Sequence, residues 1–191
     1  MILDELYLQL TDYLKTRLPD SLPDGLPNLQ HFDLWAEQTE YLQEGENMPF
    51  NLPAAFFEFN TDEIQNLGAL SRNFPFVVNV YVADFSLAES FDGSHDQPSA
   101  LNYLRLVGAV AALLHGADVG SGTLSSLAIR RYATGTNLWI YVLSYTVEVI
   151  DHSSADVHRP LNEDDASLTI EKGEPEPPAP GSNNDYFIDL S

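Results

Sequence analysis

The densest set of reactive side chains in the sequence is Asp92–Asp96, where two carboxylates and an imidazole lie within five residues. Residues of these types can bind a metal ion or assist hydrolysis. A polar surface loop has the same composition, and it is the more frequent outcome for one isolated cluster. We therefore expect no active site at Asp92–Asp96.

Two other stretches contain residue types that occur in active sites. Asp151–Asp156 combines aspartate, histidine and serine, but neighbours in sequence rarely form a catalytic triad in space. Gly116–Thr123 is rich in glycine, but it lacks the lysine of a phosphate-binding loop and leads into a strand. The five histidines show no paired metal-ligand spacing, and the chain has no cysteine. We expect no catalytic residue, metal or cofactor, and we predict that the protein is not an enzyme.

Charge is the strongest global feature of the sequence. The 191 residues include 29 acidic and 8 basic side chains, a formal net charge of −21. Such a surface repels phosphate, so we expect no specific nucleic-acid binding, while DNA can slide past without sticking. The acidic, amphipathic N-terminus is unlike a signal peptide. The longest apolar stretch, residues 100–122, contains polar and charged side chains, so we expect a buried helix and no membrane partner.

The stretch that organises the rest of the chain is a predicted hairpin, Thr123–Asp151. We expect its strands at Leu124–Ala133 and Leu138–Ile150, joined by a turn in which Gly135 and Asn137 suit positive φ. In the second strand, the two-residue period places a largely aromatic and aliphatic set on one face: Trp139, Tyr141, Leu143, Tyr145, Val147 and Val149.

Helices and strands precede the hairpin in groups. Leucines at spacings of three and four predict a helix over residues 2–18, ended by Pro19. Strands are predicted at residues 29–38, 54–60 and 76–84. Glu58 is expected at an edge, and a buried acid is the less frequent alternative. A second helix is predicted from Pro98 to about His115. Its expected buried stripe is Leu101, Leu104, Val107, Ala111 and Leu114, with small residues that allow close approach to a sheet: Gly108, Ala109, Ala111 and Ala112.

This order indicates an α+β fold, in which a mostly antiparallel sheet carries two helices on one face and ends in a long C-terminal hairpin. We place this core domain at residues 1–152. Residues 153–191 are acidic and proline-rich, and they cannot bury enough surface to fold alone. We expect them to form an extended acidic C-terminal tail.

Contacts between subunits are predicted in the hairpin. It is longer than one small sheet can cover, so we expect Tyr141 and Tyr145 to meet another subunit. Arg130 and Arg131 are the only adjacent basic pair in the chain. They form either a charge pair on the hairpin or a contact with an acidic neighbouring subunit.

The end of the tail is oddly apolar. Tyr186, Phe187, Ile188 and Leu190 follow a proline-containing spacer, Glu174–Gly181. An extended segment of this kind can add to an exposed sheet edge, so we expect it to dock on another subunit or a neighbouring protein. The alternative is a disordered acidic tail whose apolar end has no partner.

The order of the elements and their residue patterns resemble those of a known family. An amphipathic helix is followed by a strand with the run PAAFFEF, a valine-rich strand, the helix LNYLRLVGAVAALLHG and a hairpin ending in YVLSYTVEVID. Over residues 1–152, this pattern resembles the tail terminator (tail completion) proteins of tailed bacteriophages. The acidic tail is a departure, because the compact family pattern does not require it.

The resemblance implies a structural virion protein of the phage tail and neck, assembled in the host cytoplasm. It implies a homo-oligomeric ring, usually a hexamer, that caps the tail tube, joins it to the neck or connector proteins and lets DNA pass through its lumen. It transfers no catalytic residue. The alternative is an acidic adaptor or chaperone-like protein that binds a basic partner through its C-terminal tail.

Overall fold

The computed structural model describes residues 2–39, 49–61, 63–68, 70–85 and 90–153. Two helices and a mixed sheet within these ranges confirm the predicted α+β class. The predicted docking residues Tyr186, Phe187, Ile188 and Leu190 lie outside the described residues. The elements in chain order are α1 (Ile2–Ser21), β1 (His31–Leu34), β2 (Ala54–Asn60), β3 (Gln65–Asn66), β4 (Arg72–Phe85), α2 (Gln97–Leu114), β5 (Ser125–Tyr132) and β6 (Leu138–Asp151).

One sheet contains all the described strands, and its main path runs β1-β2-β4-β6-β5. The short β3 pairs with β4 beside this path. Among these strands, only β1 and β2 pair in parallel. The predicted hairpin is confirmed as β5 and β6, and β6 pairs with β4 from one end to the other. The β4–β6 pair is therefore the centre of the sheet.

The main core lies between the sheet and the two helices, which pack on the same face. Four leucines at a spacing of four residues give α1 a fully buried stripe: Leu6, Leu10, Leu14 and Leu18. They belong to one cluster with alternate residues of β4 and β6: Val78, Val80, Val82, Leu143, Tyr145 and Val147. The predicted apolar face of β6 is thus the face that the helices cover.

The opposite face of the sheet has a smaller apolar cluster near the start of β2. Trp35 and Phe50 pack there on Phe56 and Tyr81. The rings of Trp35 and Tyr81 stack with their centres 3.9 Å apart. Farther along the sheet, this face carries polar side chains. The apolar cluster therefore covers only part of the face.

Several predicted boundaries were wrong. Helix α1 continues through Pro19 to Ser21, because a proline in the last turn removes only one hydrogen bond near the end of the ladder. The strand predicted at 29–38 shortens to His31–Leu34. Strand β4 begins at Arg72, because its pairing with β6 extends to Asp151.

The turn between β5 and β6 also differs from the prediction. Neither Gly135 nor Asn137 has a positive φ. Instead, the Thr134 hydroxyl lies 3.2 Å from the Thr136 carbonyl oxygen and 3.3 Å from that of Leu138. The turn is therefore stabilised by a side-chain hydroxyl and not by the positive φ that was expected at Gly135 and Asn137.

Candidate functional site

Strand β5 forms one edge of the sheet, and nearly all its side chains are exposed. One side of β5 pairs with β6, and no other described strand pairs with its second side. Leu127 and Ile129 are 61% and 60% exposed. The register shifts between Ser126 and Ala128, which places Leu127 in a β-bulge. We call residues 125–132 the β5 edge; it presents two large aliphatic side chains at its surface.

The two arginines of the β5 edge point to opposite faces of the sheet, since successive strand residues alternate. Arg131 is opposite Tyr141 on the helix face, and its guanidinium carbon lies 5.9 Å from the centre of the Trp139 ring. Arg130 is opposite Val142, on the other face. Both arginines are exposed, so each face of the sheet has one cation at this edge.

The two tyrosines that were assigned to a subunit contact differ in burial. Tyr145 is 1% exposed and belongs to the main core, where burial raises the pKa of its hydroxyl. Tyr141 is half-buried and packs against the same core. The structure therefore places Tyr145 inside the protomer, and Tyr141 keeps some surface next to the β5 edge.

The buried side of α2 includes Val107 and Leu114 of the predicted stripe but not the rest of it. Leu101 and Leu104 are 42% and 43% exposed, and Gly108 and Ala112 also face outward. The hydroxyl of Tyr103 lies 2.8 Å and 3.0 Å from carbonyl oxygens of β4 and β6, which fixes the rotation of the helix. The residues that α2 buries are Ala100, Tyr103, Leu106, Val107, Val110 and Leu114. The small residues Gly108 and Ala112 therefore do not bring α2 close to the sheet.

A groove lies at the opposite end of the sheet, between α1 and the outer strands. We call it the edge groove; its volume is about 480 Å³. Strand β1 ends at Leu34, so residues 58–60 of β2 have no neighbouring strand on that side among the described residues. Leu3 and Leu34 are 42% and 50% exposed. The groove is lined by Leu3, Asp4, Tyr7, Leu34, Trp35, Phe57, Glu58 and Phe59.

Glu58 joins the edge groove to a polar network on the face opposite the helices. Asn79 and Tyr81 each donate a 2.8 Å hydrogen bond to Oε2 of Glu58, and Ser144 donates to Asn79 at 2.6 Å. Burial disfavours the charged carboxylate, but the hydrogen bonds and the charge of Arg130 outweigh this, so the pKa of Glu58 is lowered. Burial, together with Glu58, raises the pKa of the Tyr81 hydroxyl. Glu58 lies on the part of β2 that has no outer neighbour among the described strands, in keeping with the predicted edge position, but its side chain is half-buried.

The Asp92–Asp96 stretch is a loop at the surface, and His95 has a side chain that is 95% exposed. The side chain of Gln97 accepts a hydrogen bond from the Gly93 N–H at 2.9 Å and donates to Asp92 at 3.0 Å. Among the described residues, no group of three or more His, Cys, Asp or Glu side chains is arranged to hold a metal ion. The hydrogen bonds of Gln97 therefore hold the conformation of the loop itself.

The Asp151–His152 stretch contacts the far end of β4. Nη2 of Arg72 lies 2.6 Å from Oδ2 of Asp151, and the Ser71 hydroxyl lies 2.8 Å from Nδ1 of His152. A hydrogen bond from the Ser153 N–H and the partnership with Arg72 lower the pKa of Asp151. These contacts tie the end of β6 to β4.

In the described ranges, neither helix is long and apolar enough to cross a membrane.

Comparison with known proteins finds similarity among solved structures. No model of a protein family matches the sequence, and no curated protein matches it. Among solved structures, the chain is similar to a chain of the virion of a native gene transfer agent (GTA) particle, with 12% identity over 74% of this chain and 92% of that chain, and a TM-score of 0.40. Similarity at this level leaves function to be inferred from the surfaces described above.

Proposed function

We propose that the protein is a structural virion subunit, a tail terminator that forms a ring between the tail tube and the neck of a tailed phage-like particle. The observation that carries the proposal is the presence of two different exposed surfaces at opposite ends of one sheet, the β5 edge and the edge groove. Unlike surfaces on opposite sides of a protomer make head-to-tail contacts, and such contacts produce rings when the rotation closes.

Two further features support this role. The order α1, β2, β4, α2 and the β5–β6 hairpin matches the pattern on which the resemblance to tail terminators rests. The net charge of −21 suits a ring through whose lumen DNA passes without binding. We propose six copies in the ring, neighbours in the tail tube and the neck or connector, assembly in the host cytoplasm, and no enzymatic activity.

The proposal is tested by the mass and shape of the purified full chain. Size-exclusion chromatography with light scattering should give one defined oligomer, and negative-stain electron microscopy should show rings with a central opening. A chain that stays monomeric at every concentration tested would contradict the ring.

An acidic adaptor is the second candidate, and the observation that favours it is the charge of the chain. Such a protein would be a monomer that binds a basic partner through residues 153–191. Binding to a basic peptide should then be lost on truncation after His152. A terminator ring should instead keep its oligomeric mass after the same truncation.

A further inference from the structure

We propose that the β5 edge of one copy docks in the edge groove of the next copy, so that adjacent sheets continue edge to edge around the oligomer. This inference rests on the proposed ring and assigns the two surfaces that form its contact. The occupant of the groove is a second copy of this chain. Three properties of the described residues support this assignment: matching apolar faces, matching charges and the repulsion that opposes the symmetric alternative.

The apolar side chains of the two surfaces lie on the same face of the sheet. Ile129 is opposite Leu143, a residue of the helix-side core, so Ile129 is on the helix face. In the edge groove, Leu34 is opposite Phe57, which belongs to the same core, and Phe59 follows two residues later on that face. When two sheets meet edge to edge with their helices on the same side, Ile129 therefore comes to the same face as Leu34 and Phe59.

Charges also match on the helix face. Arg131 is on the helix face, the side on which α1 places Asp4 at the rim of the edge groove. Arg130 is on the opposite face, where its charge already acts on Glu58 of the same copy, so the charge match between copies rests on Arg131. These two arginines are one quarter of the eight basic residues in a chain with 29 acidic ones, so their position at one edge gives that edge a distinct charge. Complementary charges of this kind fix the register and the choice of partner.

A symmetric contact between two β5 edges is disfavoured by the same residues. It would bring four arginines together, because each copy contributes Arg130 and Arg131, and like charges directly opposite one another destabilise a strand pair. The edge groove instead has the carboxylate of Asp4 at its rim on the helix face. The head-to-tail contact is therefore the favoured one of the two.

The test uses one substitution in each surface of the full chain. Ile129→Asp introduces a charge on the β5 edge, and Leu34→Asp introduces one in the edge groove. We expect each variant alone to associate roughly tenfold to a hundredfold more weakly. In the wild type, association buries a large aliphatic side chain, and the variant lacks this favourable burial. The matched controls are Leu8→Asp and Ile64→Asp, at positions 62% and 50% exposed and outside both surfaces.

Mixing the two variants separates the proposed contact from other arrangements. The Ile129→Asp copy keeps an intact groove and the Leu34→Asp copy keeps an intact β5 edge, so an equal mixture should form 1:1 dimers but no ring. Native mass spectrometry measures both species. Thermal unfolding of each variant, expected to match that of the wild type, shows that the protomers are folded.

The outcomes distinguish this inference from the proposed function. Monomeric variants whose mixture gives 1:1 dimers support the assigned surfaces. If both variants keep the wild-type mass, or if the mixture gives no 1:1 species, the assignment of the two surfaces is wrong. Either result is still compatible with a ring. A wild-type chain that is always monomeric overturns the ring itself.

Charge exchange gives a second measurement: Arg131→Glu should weaken association, and Asp4→Arg in the same chain should restore it.

Discussion

The Tyr81 hydroxyl donates a 2.8 Å hydrogen bond to Oε2 of Glu58, on the neighbouring strand of the sheet. Asn79 donates to the same oxygen, and Ser144 of β6 donates to Asn79. One carboxylate thereby connects β2, β4 and β6 at the point where the face opposite the helices changes from apolar to polar. Buried polar groups that are fully bonded in this way favour one register of the strands.

We expect Glu58→Gln to lower the free energy of unfolding by about 1–2 kcal/mol at neutral pH, since a charged hydrogen-bond acceptor is replaced by a neutral amide. The folded-state pKa of Glu58 is lowered, so its contribution is fully present above the unfolded pKa of about 4.3 and is lost as pH falls through the folded pKa. Urea unfolding from neutral to acidic pH measures this. The difference between wild type and variant should shrink only in the acidic range, and Glu63→Gln, at an exposed position, is the control. A difference that is independent of pH would contradict the role of the ionised carboxylate.

Tyr145 was predicted at a subunit contact, but its burial predicts a role in folding. We expect Tyr145→Ser to cost about 3–5 kcal/mol of stability, as large-to-small changes of buried aromatic residues do. Tyr145→Phe should cost far less, because it keeps the ring. Chemical denaturation compares the two variants. Folded Tyr145→Ser protein with wild-type stability would show that this side chain is not part of the core.

Two glycines form a matched pair for a test of packing. A Cβ atom on Gly122 would lie 2.5 Å from the carbonyl oxygen of Glu148, whereas one on Gly108 would meet no atom within 4 Å. We expect Gly122→Ala to destabilise by about 1–3 kcal/mol through overpacking. Gly108→Ala, on the outer face of α2, should stabilise by about 0.5–1 kcal/mol through helix propensity. Thermal unfolding measures both, and equal effects of the two substitutions would refute the close approach at Gly122.

The predicted arm at the end of the chain can be removed without touching the described residues. Truncation after Gly181 deletes Tyr186, Phe187, Ile188 and Leu190. We expect the core to keep its unfolding temperature and the ring to keep its mass, while association with the adjoining tail or neck protein weakens because an added strand is lost. A pull-down of the adjoining protein with full-length and truncated chains measures this. Equal capture by both chains would show that the segment only adds solubility.

The acidic surface predicts the response to DNA. With a net charge of −21, the chain should show no binding to duplex DNA, and repulsion should be greatest at low salt, where the Debye length is longest. A gel-shift titration over a range of salt concentrations tests this. Binding that strengthens as salt is lowered would indicate a basic surface that the overall charge conceals.

The sheet could be predicted because its strands have distinct patterns. In β6, the alternation from Trp139 to Val149 identified the face that the helices cover, and β2 has the predicted bounds of Ala54 and Asn60. Period-two patterns are local, so one sequence suffices to read them. The length of β4 was underestimated because its first residues are ordered by pairing with the end of β6, a contact far away in sequence.

The rotation of α2 could be predicted only in part, because large apolar residues lie on more than one side of the helix. Leu101 and Leu104 fit a buried stripe as well as Leu106 and Val110 do, and periodicity alone does not choose between them. The choice is made by Tyr103, whose buried hydroxyl needs a carbonyl acceptor and lies within hydrogen-bond distance of one on each of two strands. The edge groove was also missed, because it depends on the point at which β1 stops pairing with β2.

The β-bulge at Leu127 has a consequence for the solubility of the free chain. An eight-residue edge strand with exposed aliphatic side chains is a template on which any extended segment can grow, and fibres begin at such templates. The bulge breaks the even spacing of backbone donors and acceptors, so a foreign strand cannot run in register along the whole edge. Only a partner shaped to accommodate the break can pair along the whole of β5, which lowers the tendency of this edge to pair with other chains.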